Sequence, residues 1–187
     1  MIIPMLINLV IRPQRSEYPS DEASNGKVRE IAGKKYAKKI FTLDNEEGKK
    51  LSCQFWEPVA EERPAEKMPT VIYMHGNAGC RLEAEAYVPH LLPLGINIFS
   101  FDFSGCGKSE GEWVTLGWKE RGDLRSVIKH LQNSGTVSKI GLWGRSMGAA
   151  TSIMFTADNH DLAHALVLDS GFATIHDVIN QVGGAMM

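Results

Sequence analysis

Cysteine is scarce, with only Cys53, Cys80 and Cys106 among 187 residues. An odd number of cysteines, widely spaced and without a CxxC pair, argues against both a disulfide framework and a zinc site, and fits a reducing, cytoplasmic compartment. Excess charge is also missing. The formal net charge is -2, so no global field draws the chain toward nucleic acid or anionic lipid, and a partner has to be recognised locally. Long apolar runs are absent too: residues 1–11 are mostly apolar but are interrupted by Pro4 and Asn8, too short to span a bilayer. The same segment lacks the basic start and small-residue cleavage site of a secretory signal. It is expected to pack on the domain, with peripheral membrane contact as the alternative reading.

What is present suits one globular domain, since 187 residues with 43% hydrophobic content can bury a sizeable core. Residues 12–35 are polar and carry Pro13, Pro19, Asn25, Gly26 and Gly33, so irregular surface structure is expected there. The expected division is an N-terminal extension over 1–35 and a folded domain over 36–187. Two strand-like runs, 38–43 and 50–55, flank the turn-forming segment DNEEG at 44–48, which predicts an antiparallel hairpin. Four further runs, 71–74, 96–101, 140–143 and 165–168, are apolar with little alternation, the pattern of strands buried on both faces in a parallel sheet.

Helical stretches separate these strands. Leu124, Val127, Ile128 and Leu131 lie at helix-face spacing, between a start near Thr115 and a stop at 133–135. A weaker helix is expected over 81–92, where Pro89 should kink or end it. Others should begin at Ser146 and near Thr174.

The most specific chemical signal is GRSMG at 144–148, between the strand run ending at Trp143 and a small-residue helix. A serine on a sharp strand-to-helix turn adopts strained backbone angles, and glycines two residues before and after it avoid the resulting clashes. That geometry would lift the Ser146 hydroxyl toward a substrate, with the helix N-terminus behind it where negative charge develops. A second signal, HGNAG at 75–79, follows the run at 71–74. Its backbone N–H groups, with Asn77 the first choice, can face the Met147 N–H across a carbonyl oxygen and complete an oxyanion hole. His75 itself is expected to brace the turn. A third, DFSGCGKSEG at 102–111, contains GKS but has Asp102 where the first glycine of a phosphate loop would stand, so nucleotide binding is not expected.

These three motifs, in this order and spacing, resemble the α/β-hydrolase superfamily, and within it the serine-aminopeptidase-like branch. The resemblance implies an α/β fold: a three-layer αβα sandwich with a mostly parallel sheet and an antiparallel N-terminal hairpin. It implies a Ser-Asp-His triad in that chain order, hydrolysis of an acyl ester, thioester or amide in a small-molecule or acylated substrate, and no metal or organic cofactor. Ser146 would be the nucleophile.

The family usually places the acid after its seventh strand and the histidine after its eighth, whereas about six strands can be counted here. The expectation is therefore an incomplete α/β-hydrolase domain lacking its C-terminal strands, a fragment or truncated product of a longer hydrolase with impaired turnover. Asp169, closing the sixth strand, is the candidate acid, with capping of the following turn as its structural role. His176 keeps the chain order but is poorly placed to reach Ser146, and His90, His130, His160 and His164 sit in no motif. Arg145 could meet an anionic substrate or form a salt bridge. A hydrolase fold kept as a non-catalytic binding or scaffold protein is the competing reading.

Overall fold

A computed structural model describes residues 8, 10–19 and 22–178. Seven strands form one sheet: β1 (Val28–Ile31), β2 (Lys34–Asp44), β3 (Lys50–Pro58), β4 (Met68–Met74), β5 (Asn97–Phe101), β6 (Val137–Arg145) and β7 (Ala165–Asp169). Their spatial order is β1-β2-β3-β5-β4-β6-β7. The first three are joined antiparallel, whereas β5, β4, β6 and β7 run parallel. The expected hairpin is β2–β3, closed by Asn45: its Oδ1 accepts the N–H groups of Glu47 and Lys49, both at 2.9 Å.

Side-chain alternation along these strands produces two separate cores, one on each face. Ile72, Met74, Phe99, Phe101 and Leu142 point to one side, against Leu124, Val127, Ile128 and Leu131 of the helix Glu120–Asn133 and Phe155 of the helix Met147–Asp158. Tyr73, Ile98 and Trp56 point to the other and meet Ala84, Val88 and Leu92. That second layer is short: a 3-10 turn (Arg81–Ala86), the helix α1 (Val88–Leu91) and another 3-10 turn (Leu92–Leu94). The helices of the first face are α2 (Glu120–Asn133) and α3 (Met147–Asp158), and the result is the three-layer αβα arrangement.

Several elements depart from the expectations. Residues 28–31 pair with β2 and add a seventh strand, because the Ala32-Gly33 turn, with both residues at positive φ, reverses the chain tightly. Pro89 opens α1 instead of ending a helix, since the first turn needs no proline N–H. The helix α2 begins at Glu120 and not near Thr115. The Glu120 carboxylate accepts the N–H groups of Thr115 and Gly117, each at 2.8 Å, and holds 115–119 in a non-helical turn. Finally, β7 is not buried on both faces: Leu166, Val167 and Leu168 remain 43%, 44% and 45% exposed at the sheet edge. Among the described residues no helix is long and apolar enough to cross a membrane.

Candidate functional site

Between the last residue of β6 and the first of α3, Ser146 takes φ 51° and ψ −108°, backbone angles that an L-residue avoids. The turn is so tight that its flanks admit no side chain. A Cβ on Gly144 would lie 2.2 Å from the Gly148 carbonyl oxygen, and a Cβ on Gly148 would lie 2.3 Å from that of Met74. The Ser146 N–H donates to the carbonyl of Asp169 at 2.8 Å, while its own carbonyl accepts the Ala150 N–H at 3.0 Å and starts α3. The side chain is half-buried. Met147 supplies the first N–H of α3, one of the donors that a helix leaves without an internal acceptor.

The chain leaving β4 passes beside this serine, close enough that a Cβ on Gly76 would sit 3.5 Å from the Ser146 Cβ. Its shape is set from inside by His75, which is fully buried. The ring Nε2 accepts the Phe103 N–H at 3.1 Å, which leaves the proton on Nδ1, 2.7 Å from the Gly76 carbonyl. Burial pushes the His75 pKa down, so the ring is neutral and both nitrogens are engaged in bracing. From outside the turn is held through Asn77, whose Oδ1 accepts the Ala78 N–H at 3.1 Å and whose Nδ2 donates to the Val10 carbonyl at 3.0 Å.

The third motif folds into a loop wrapped around Asp102. That buried carboxylate accepts the N–H groups of Arg81 at 2.6 Å and Lys108 at 2.9 Å, and the hydroxyl of Tyr18. Gly107 is required here, because a Cβ on it would meet the Asp102 carboxylate at 2.3 Å. The GKS sequence thus encloses a carboxylate. Beyond the loop, Asp123 of α2 accepts the Ser104 N–H at 2.8 Å, its hydroxyl at 3.0 Å and Asn45 Nδ2 at 2.6 Å. Burial outweighs these bonds and raises the Asp123 pKa to about 6.

Asp169 closes β7 in register with Arg145. Its backbone touches Ser146 as described, while its carboxylate accepts the Ser170 hydroxyl at 2.7 Å. His176 lies exposed in the helical turn 175–178. His164 Nδ1 accepts the Ile140 N–H at 3.4 Å, His160 stands 3.6 Å from Asp161, and His130 packs on the ring of Phe41. Among the described residues no imidazole is hydrogen-bonded to the Ser146 hydroxyl. Arg145 pairs with Glu83 at 3.2 Å, and Tyr73 donates to the same carboxylate at 3.0 Å, which ties the serine turn to the segment after the HGN turn.

Two features had no sequence signal. One is the contact of residues 10–18 with the site loops, made across sequence separations of 62 to 96 residues. The other is an apolar groove in two adjoining parts. A part of about 440 Å³ is walled by Leu116, Trp118, Ile153, Met154 and Phe172. The other, of about 400 Å³, is walled by Val10, Ile11, Trp113 and Val114, and both share Leu116 and Ile175. Among its walls are Ala150, whose N–H bonds the Ser146 carbonyl, and Val10, whose carbonyl bonds Asn77. Among the described residues no group of three or more His, Cys, Asp or Glu could hold a metal ion.

Residues 69–184 match the family model described as the alpha/beta hydrolase fold. Protein bem46 of Schizosaccharomyces pombe is 33% identical over 135 residues, 65% of this chain and 42% of that protein. A monoglyceride lipase homolog of monkeypox virus is 29% identical over 135 residues, 70% of this chain and 45% of the viral protein. Among solved structures, the Pyrococcus furiosus esterase Pf2001 superposes with a TM-score of 0.64 at 28% identity, over 86% of this chain and 58% of the esterase. The chain thus spans less than half the length of these two curated relatives.

Proposed function

Since the chain belongs to the alpha/beta hydrolase fold family, we propose that it is a serine hydrolase in which Ser146 attacks an acyl carbon, with acyl esters as the leading substrates ahead of thioesters and amides. The observation that carries this reading is the backbone of Ser146, held at φ 51° between two glycines that no other residue can replace without a clash. A merely structural serine gains nothing from such strain.

In the proposed reaction the Ser146 hydroxyl adds to the acyl carbon as a base takes its proton. The N–H groups of Asn77 and Met147 hold the resulting oxyanion, each donor being worth on the order of 10²–10³ in turnover. Collapse of the intermediate expels the leaving group, and water then releases the acyl group. Asp169 is proposed as the acid of the triad, since β7 brings its main chain onto Ser146. With no described imidazole on the serine, turnover by these 187 residues is proposed to be slow; loss of a triad member can cost on the order of a millionfold. The apolar groove, walled in part by Ala150 one turn along α3 from Ser146, supports an aliphatic or aromatic acyl group. The esterase and lipase names among the similar proteins favour ester over amide.

The test is labelling by a fluorophosphonate probe, compared between this chain and Ser146→Ala. Labelling that disappears with the hydroxyl supports the hydrolase reading. Equal labelling of the two, or none in either, would turn the assignment toward a hydrolase-fold scaffold.

A further inference from the structure

Oxyanion donors work only when they are fixed to within about half an ångström, and the HGN turn is fixed unequally on its two sides. On its inner side His75 and the strands hold it. On its outer side Ala78 is exposed at φ 61°, and Asn77 is half-buried. The bonds that reach these two residues from elsewhere in the described chain come from residues 10–18: the Val10 carbonyl accepts Asn77 Nδ2 at 3.0 Å, and the Ser16 hydroxyl donates to the Ala78 carbonyl at 2.6 Å.

That segment is itself anchored to the loop 102–111 and to the residues that follow it. The Arg15 guanidinium donates to the carbonyls of Ser109 (2.6 Å), Gly107 (3.2 Å) and Gly111, and Tyr18 donates to Asp102. Upstream, the Val114 N–H donates to the Ile11 carbonyl at 2.8 Å, and Arg12 stacks on Trp113 at 3.6 Å. Residues 12–18, a polar stretch without regular structure, lose considerable conformational entropy on ordering, and here the contacts of the segment converge on the HGN turn and the loop 102–111. Arg15 is suited to the task because a planar fork of donors can satisfy several carbonyls at once.

We propose that residues 10–18 are a positioning strap for the oxyanion turn, with the Asn77 side chain as its clasp and Arg15 as its anchor. The proposal rests on the hydrolase reading. In it the Asn77 carboxamide acts on the reaction indirectly: bonded to Val10 on one side and to the Ala78 N–H on the other, it fixes the peptide that follows Asn77 and so limits rotation of the adjoining Gly76–Asn77 peptide, whose N–H faces the oxyanion. Removing the Arg15 and Ser16 bonds alters no residue that walls the groove but blurs the donor, so the loss falls on the chemical step and not on binding.

The experiment measures amide hydrogen exchange over residues 75–80 in the full chain, in Ser16→Ala and in the double variant Arg15→Ala/Ser16→Ala, alongside the rate of fluorophosphonate labelling. Exchange over 75–80 is expected to rise roughly tenfold in the double variant and less in Ser16→Ala. The β4 and β6 amides should stay protected, which verifies the fold, and labelling should slow in step, with Arg15→Lys partly restoring it. Unchanged exchange over 75–80 in both variants would overturn the strap. So would faster exchange with an unaltered labelling rate. If exchange rises but no form labels through Ser146, the strap holds the turn and the hydrolase reading is what fails.

Discussion

Replacing Ser146 by glycine should stabilise this protein, although it deletes the residue on which the proposed function depends. The φ of 51° and ψ of −108° lie outside the wells open to residues with a Cβ, and such a conformation costs on the order of 1–3 kcal/mol. Glycine removes that cost but adds chain entropy to the unfolded state, a penalty of roughly 0.5–1 kcal/mol. The net expectation is a gain of about 1 kcal/mol. The right reference is Ser146→Ala, which deletes the hydroxyl while keeping the Cβ and its strain, so the glycine–alanine difference isolates the backbone. In a chain of 187 residues this difference should raise Tm by roughly 2–4 °C. Urea titration of both variants is the assay, with equal m values showing that the unfolded state has not changed. Ser146→Gly no more stable than Ser146→Ala would mean that the turn holds no strain, and the inference from backbone to nucleophile would lose its footing.

The glycines give a paired prediction. Gly148→Ala drives a methyl group to 2.3 Å from the Met74 carbonyl oxygen, and because the obstacle is strand backbone the variant should lose at least about 1–3 kcal/mol. Gly122→Ala, whose Cβ would meet nothing nearer than Glu46 at 3.8 Å in the first turns of α2, should gain up to about 1 kcal/mol. Thermal melts that rank them the other way would refute the packing argument. Asp123 supplies a pH prediction. Its pKa is raised by burial, from 3.8 to about 6, so in that window the folded chain binds a proton that the unfolded chain releases. Stability contributed by this group therefore increases as pH falls from about 7 toward 4, by at most roughly 3 kcal/mol. Unfolding free energies at pH 4, 5, 6 and 7 for wild type minus Asp123→Asn should show that slope, and a flat difference would exclude it.

The local chemistry of the sequence specified a good deal. Alternating and continuous apolar runs marked β2 to β7 because side-chain period follows directly from backbone geometry. The GRSMG turn was legible because Gly144 answers to a clash with the Gly148 backbone four residues on, an interaction contained within the motif, although Gly148 itself answers to Met74 of β4. The same holds for the helix face of Leu124, Val127, Ile128 and Leu131, all buried as their spacing requires. Where the outcome depended on distant partners, the sequence was silent or misleading. The sequence excludes GKS at 107–109 as a phosphate loop through Asp102, but it does not show that the loop closes around that same carboxylate. The apolar run at 165–168 read as a buried strand, but burial is decided by neighbours, and β7 lies at the sheet edge. The start of α2 was displaced by a Glu120 carboxylate that captured two amides ahead of it.

Taken by itself, then, the sequence determined strands β2 to β7, the main helices and the strained serine, because each is enforced over a few consecutive residues by sterics and periodicity. Only the tertiary structure decided that residues 10–18 lie across the HGN turn, that both nitrogens of His75 are engaged in holding it, and that residues 10–11, 113–116 and 175 come together around an apolar groove. Those depend on hydrogen bonds and contacts between segments far apart in the chain, and no short-range pattern encodes which segments will meet.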